Sequence, residues 1–219
     1  PEPEPAPAPS PIAVVWSDLV NATVNGDTLS KTAGCDGCDD AGAVSQQEIS
    51  SGDGYLEFTA SDTQKLLFVG LSVNQAGTSA AEIDFALRVQ GGYVEVRENG
   101  IYRTDIPISV GDTLRISVQS GTVTYSRNGA VFYTSNTAPA YPLKGYTRLY
   151  AMGSSISSAQ ITSANAGENT DPAPAPTSLI WSGLVNATVN GDTLSKTGGC
   201  DGCEDAGAVS QQEISSGDG

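Results

Sequence analysis

All four cysteines of the 219-residue chain fall in two Cys-Asp-Gly-Cys motifs, Cys35 to Cys38 and Cys200 to Cys203. A thiol pair separated by an Asp-Gly turn is drawn together by its own backbone, so a local disulfide within each motif is the favoured chemistry. Cross-links between neighbouring units are the alternative, because in an extracellular protein cysteines recurring at one place in a repeat often pair. Thioredoxin-like exchange lacks its βαβ context, and a four-cysteine zinc site would have to bridge two units. The acidic loop around the first motif carries Asp36, Asp39 and Asp40, with Asp27 upstream in an Asn-Gly-Asp turn. These carboxylates are weak Ca²⁺ candidates without EF-hand spacing, and the competing explanation for each is turn chemistry. The segment Glu82-Ile83-Asp84-Phe85, if it is a strand, puts Glu82 and Asp84 on one face. Two carboxyl groups in opposed roles are what glycoside hydrolysis needs, but the next same-face position is Ala86. The chain contains no histidine, which excludes a Ser-His-Asp triad and His-ligated zinc. No catalytic residue is assigned, and no cofactor beyond the weak Ca²⁺ candidates.

The strongest feature is a repeat. Trp16 to Gly54 recurs as Trp181 to Gly219 with three substitutions, Asp18, Ala33 and Asp39 being replaced by Gly183, Gly198 and Glu204. An offset of 165 residues is too long for a solenoid and fits one globular domain plus a linker. Pro-rich segments precede both copies, PEPEPAPAPSP and DPAPAP, and proline this dense favours a stiff polyproline II spacer. The expected organisation is a linker at 1–11, a complete repeat at 12–165, a second linker at 166–176, and the opening part of another repeat at 177–219. The chain begins at Pro1 rather than Met, which reads as a mature or excised segment. It ends partway through a unit, which suggests either a cut through a longer array or a segment that docks on a neighbour.

The net charge of −15 and the scattered Lys and Arg leave no footprint for nucleic acid or an anionic membrane. No apolar run approaches a membrane span. Between the linkers, short alternating runs are separated by Gly, Asn, Asp and Ser, which is the pattern of an all-β chain. Strands are expected at 13–16, 43–49, 55–60, 66–73, 83–89, 93–98, 113–119, 122–127, 131–134 and 147–152. Asn99-Gly100 and Asn128-Gly129 lie between such runs and predict type I′ hairpins. So many short strands fit a two-sheet antiparallel jelly-roll sandwich.

The stretch from Gly111 to Val118 (GDTLRISV) followed by Gly121 to Tyr133 (GTVTYSRNGAVFY) resembles the signature of SPRY-like and concanavalin A-like jelly rolls. Trp16, the Leu29-Ser30-Lys31-Thr32 strand and Gly52 to Phe58 are similar to such modules repeated in large bacterial surface proteins. The resemblance implies a fold shared by lectins, glycanases and pure interaction modules, so it does not choose an activity. Some glycanases of this fold carry Glu-x-Asp followed by a further Glu on one strand, and the chain lacks that last carboxylate. The expected function is a non-catalytic structural repeat of an extracellular, cell-surface fibre whose partners are copies of itself. The alternative is a lectin-like adhesin that binds extracellular glycans through exposed tyrosines among Tyr93, Tyr102, Tyr125, Tyr133, Tyr141, Tyr146 and Tyr150.

Overall fold

The computed structural model describes residues 11–73, 79–163, 181–190 and 193–210. The two Pro-rich linkers lie outside these residues apart from Pro11, so the polyproline expectation concerns segments not described. Chain contacts divide the protein into a unit spanning Pro1–Asn169 and another spanning Thr170–Gly219.

The described residues of the first unit form fifteen strands: β1 (Ile12–Ala13), β2 (Trp16–Val20), β3 (Ala22–Asn25), β4 (Thr28–Lys31), β5 (Ala41–Ile49), β6 (Gly54–Thr59), β7 (Leu67–Ser72), β8 (Phe85–Gln90), β9 (Tyr93–Glu98), β10 (Ile101–Pro107), β11 (Thr113–Gln119), β12 (Thr122–Arg127), β13 (Ala130–Thr134), β14 (Leu143–Leu149) and β15 (Ser155–Ser163). They form two antiparallel sheets. One is ordered β13-β12-β11-β6-β15-β4-β3 with β1 also on β15; the other is β10-β9-β8-β7-β14-β5-β2. This is the two-sheet antiparallel sandwich expected from the alternation.

Alternation sends one set of side chains between the sheets. Leu56 and Phe58 of β6, Ile116 of β11 and Ile161 of β15 meet Val69 of β7, Leu87 of β8 and Val96 of β9 in a core where each is at most 1% exposed. Removing that apolar area from water is the main stabilising term. Asn99 and Gly100 have φ of 50° and 76°, and Asn128 and Gly129 have 51° and 80°, as type I′ turns require. Asn128 does more than turn the chain: its Oδ1 accepts from Thr113 N at 2.8 Å and its Nδ2 donates to Asp112 Oδ1 at 2.8 Å.

Several elements differ from expectation. β3, β10 and all of β15 lie outside the expected strands: β3 and β10 are edge strands whose exposed faces carry apolar residues, and β15 is bulged at Ser158, where φ is 50°. The last expected strand, 147–152, instead runs from Leu143 to Leu149. The expected strand at 83–89 begins at Phe85, because Ala80–Glu82 forms a 3₁₀ turn capped by Ser79 Oγ. In β7 both faces are largely buried: Leu67, Val69 and Leu71 face the core, while Ile83 covers the other side and packs with Ala86 and Tyr146. A Cβ on Gly70 would lie 2.5 Å from Ile83 Cγ2 and 2.3 Å from Phe85 O, so only glycine fits beneath this segment.

The second unit contains β16 (Trp181–Val185) paired with β19 (Gly207–Ser210), and β17 (Ala187–Asn190) paired with β18 (Thr193–Lys196). The β17–β18 register, Ala187 opposite Lys196 through Asn190 opposite Thr193, reproduces Ala22 opposite Lys31 through Asn25 opposite Thr28.

Candidate functional sites

The Cys-Asp-Gly-Cys loop leads into a lysine cage. Lys31 sits at the end of β4, and alternation points its side chain inward, where it is fully buried. Its Nζ donates to Asp40 Oδ1 at 2.5 Å, Tyr150 O at 2.8 Å and Cys38 O at 3.0 Å, so all three ammonium protons have acceptors. A buried ammonium survives only when paired and saturated in this way. Cys35 and Cys38 form the local disulfide, as do Cys200 and Cys203. The clip holds the loop that presents Cys38 O, and Gly37 N donates to Tyr150 O at 2.9 Å on its other side. Asp40 closes the arrangement: Oδ2 accepts from Cys35 N at 2.9 Å, and the bond from Lys31 holds its carboxyl below the usual range. In the second unit Lys196 Nζ meets Asp205 Oδ1 at 2.6 Å, Cys203 O at 3.0 Å and Cys200 O at 2.7 Å, but its side chain is 35% exposed.

The four acidic Ca²⁺ candidates do not converge. Asp36 Oδ1 accepts from Met152 N at 2.7 Å. Asp39 Oδ1 binds Arg148 Nε at 2.7 Å and its Oδ2 accepts from Ala80 N at 3.2 Å, tying the cysteine loop to the 3₁₀ turn. Asp27 lies at the β3–β4 turn, where Oδ2 accepts from Ser158 Oγ at 2.7 Å, a bond that lowers its pKa. Each carboxylate therefore closes a different loop. Among the described residues, Cys35, Cys38 and Asp40 are the group with potential metal-ligand atoms within 4.8 Å. Its sulfurs are bonded to each other and Asp40 is committed to Lys31, so this donor set does not fit a metal ion.

Glu82 and Asp84 do not share a strand face. Glu82 ends the 3₁₀ turn, and Asp84 Oδ2 accepts from Ser72 Oγ at 2.9 Å and Val73 N at 3.0 Å, which locks the covering segment to the end of β7.

A polar cluster that the motifs did not indicate occupies the outer face of the seven-stranded sheet. Tyr93, Glu95 and Arg97 alternate on β9; Glu95 receives Arg88 from β8 and Arg97 at 2.7 Å, while Arg97 lies opposite Tyr102 of β10. The Arg97 guanidinium stands 5.6 Å from the Tyr102 ring centre, and Tyr102 OH donates to Asp105, which raises its pKa. Tyr93 and Tyr102 are 50% and 49% exposed and bracket this row. The signal was present in the alternation Tyr93-Val94-Glu95-Val96-Arg97, but reading it needed the partner strands. The other five expected tyrosines serve packing: Tyr125 and Tyr146 are buried, Tyr133 and Tyr141 rest against the core, and the Tyr150 ring lies 5.6 Å from that of Phe68. Tyr125 OH reaches Glu98 across the sheets at 3.3 Å, and burial raises its pKa far above the usual phenol. Glu98, 1% exposed, is neutralised by Arg103 Nε at 2.9 Å.

No protein-family model matches the sequence, and comparison with curated proteins gives no match. Solved structures do match the fold. The TRIM65 PSpry domain aligns with a TM-score of 0.52 at 17% identity, covering 67% of this chain and 91% of its own. The carbohydrate recognition domain of Emp46p in its potassium-bound form gives 0.50 at 11%, covering 67% and 87%. The exoplasmic/lumenal domain of VIP36 bound to Ca²⁺ and Man3GlcNAc gives 0.50 at 10%, covering 72% and 89%. The first unit thus has the concanavalin A-like jelly-roll fold that the resemblance implied, shared with SPRY and lectin domains.

Proposed function

We propose that the chain is a non-catalytic structural repeat of an extracellular fibre, built to associate with copies of itself. The observation that carries this reading is that the repeated sequence rebuilds the same local structure, with the same hairpin register, the same lysine–aspartate pair and the same disulfide. A tandem array produces such duplication directly, and a catalyst has no use for it. The disulfides fit an oxidising, extracellular setting. Asp84 and the carboxylates of the cysteine loop each have a packing role, which agrees with a module that holds shape rather than turns over substrate. Electron microscopy of the native material tests this. Filaments with one 165-residue unit per repeat are the expected result; isolated particles at every concentration would end the reading.

A second reading, a glycan-binding module, is favoured by Tyr93 and Tyr102 flanking the Glu95–Arg97 row, since exposed rings beside hydrogen-bonding groups suit sugars. Emp46p and VIP36 are a carbohydrate recognition domain and a glycan-bound protein of this fold. Glycan-array binding abolished by Tyr93→Ala and Tyr102→Ala, with assembly intact, would support it.

A further inference from the structure

The sandwich has two lateral ends, and each is formed by two edge strands. At one end β2 closes the seven-stranded sheet and β3 closes the eight-stranded sheet; at the other, β10 and β13 do so. The Glu98–Tyr125 bond between β9 and β12 shows that β10 and β13 belong to the same end. Soluble sandwiches protect such edges with charge or proline. These edge strands keep some of that protection, Asp18 on β2 and Arg103, Asp105 and Pro107 on β10, yet they also carry apolar residues in the open: Leu19 (44%) and Val20 (54%) on β2, Val24 (43%) on β3, Ile101 (58%) and Tyr102 (49%) on β10, and Val131 (59%) on β13. Beside the first end, a cleft of about 330 Å³ is lined by Val14, Trp16 and Val24 on its apolar side and by Asp27, Ser158 and Gln160 on its polar side.

Resting on the self-associating reading above, we propose that these two ends are the contact surfaces of the fibre: the β2/β3 end of one copy docks against the β10/β13 end of the next. The occupant is a second copy because the repeat keeps the exposed apolar residues of the β2/β3 end, even though Asp18 beside them becomes Gly183. Leu184, Val185 and Val189 reproduce Leu19, Val20 and Val24, although exposed positions bear no core constraint. A contact between two different surfaces of one molecule leaves a free end on each copy, so it propagates into a filament unless its rotation closes a ring. Its chemistry is side-chain packing. Register shifts between Ser17 and Val20 in β2 and between Tyr102 and Thr104 in β10 interrupt the rows of free backbone groups, which disfavours a simple continuation of the seven-stranded sheet. The cleft beside Trp16 offers a socket for Ile101 or Tyr102 of the neighbour, the aromatic-in-pocket arrangement that dominates interface energetics.

Sedimentation velocity on the full chain under non-reducing conditions tests polarity as well as contact. One variant carries Leu19→Lys, Val20→Lys, Leu184→Lys and Val185→Lys; another carries Ile101→Lys and Val131→Lys. Each should retain wild-type circular dichroism, since the positions are exposed, and each alone should lose concentration-dependent growth. Mixed, each supplies the end the other lacks, so small capped complexes form and do not grow. Growth of either variant alone to wild-type size overturns the proposal while leaving self-association standing, and so does pairing of each variant with itself without a mixed complex. A wild-type chain that stays monomeric at all concentrations overturns the self-associating function itself. Should the lysine variants lose their fold, Leu19→Ser with Val20→Thr in both copies repeats the test, with at least a tenfold weakening of assembly expected.

Discussion

Replacing Lys31 by Met keeps most of the buried stem and removes only the ammonium. Asp40 Oδ1 and Cys38 O then lose this donor, and Tyr150 O keeps only the Gly37 amide. The Asp40 side chain is 34% exposed and can rehydrate, which leaves two backbone carbonyls to bear the loss. At roughly 0.5–1.5 kcal/mol per hydrogen bond, Lys31→Met should cost about 1–3 kcal/mol. Lys31→Ala also deletes methylene groups, each about 0.8 kcal/mol, and leaves a cavity, for a total of about 3–5 kcal/mol. Asp40→Asn leaves the ammonium its two backbone carbonyls but removes its counter-charge, and because the buried cation cannot reach water this variant should be destabilised as well. Equilibrium denaturation by urea, followed by far-ultraviolet circular dichroism at pH 7, gives the three values. The second copy supplies the control. Lys196 makes the equivalent bonds to Asp205 and Cys203 O, with Cys200 O in place of Tyr150 O, at 35% side-chain exposure, so Lys196→Met should leave the first unit's midpoint unmoved. If Lys31→Met is as stable as wild type, the ammonium is a tolerated burden rather than a lock, and the argument fails.

The carboxyls of Asp27, Asp40 and Asp112 are held below their ordinary value of 3.8, by Ser158, Lys31 and the Ser109 amide respectively. Folded pKa values below the unfolded ones contribute stability above pH 3.8 that is lost as pH falls through the folded values; a denaturation midpoint measured against pH should drop below pH 3.8, and Asp40→Asn should flatten part of the drop. Gly70→Ala forces a Cβ within 2.5 Å of Ile83 Cγ2 and should cost about 1–3 kcal/mol, with hydrogen exchange rising first in the covering segment 79–84. Tyr125→Phe removes the hydroxyl bond to Glu98, whose charge keeps Arg103; calorimetry should show a loss of about 1 kcal/mol.

The sequence alone determined whatever depends on neighbours along the chain. Alternation separated inside from outside on β6, β9, β11 and β12, because successive side chains of a strand face opposite ways. Asn-Gly fixed two hairpins because few other pairs tolerate positive φ at both positions, and Cys-Asp-Gly-Cys fixed its own disulfide because a short loop brings its sulfurs together. The repeat was legible as identity, and its hairpin duplicates in register. Contacts between distant segments were not legible. Lys31 reads as one polar residue in a β pattern, and only its meeting with Tyr150, 119 residues away, turns it into a caged cation. Asp27, Asp36 and Asp39 look like ligands until Ser158, Met152 and Arg148 arrive from β14, β15 and the turn between them. The strands whose exposure defines the two ends, β2, β3, β10 and β13, are edges only because of sheet order. Order is set by how both hydrophobic faces are buried together, a global property that no window of sequence contains.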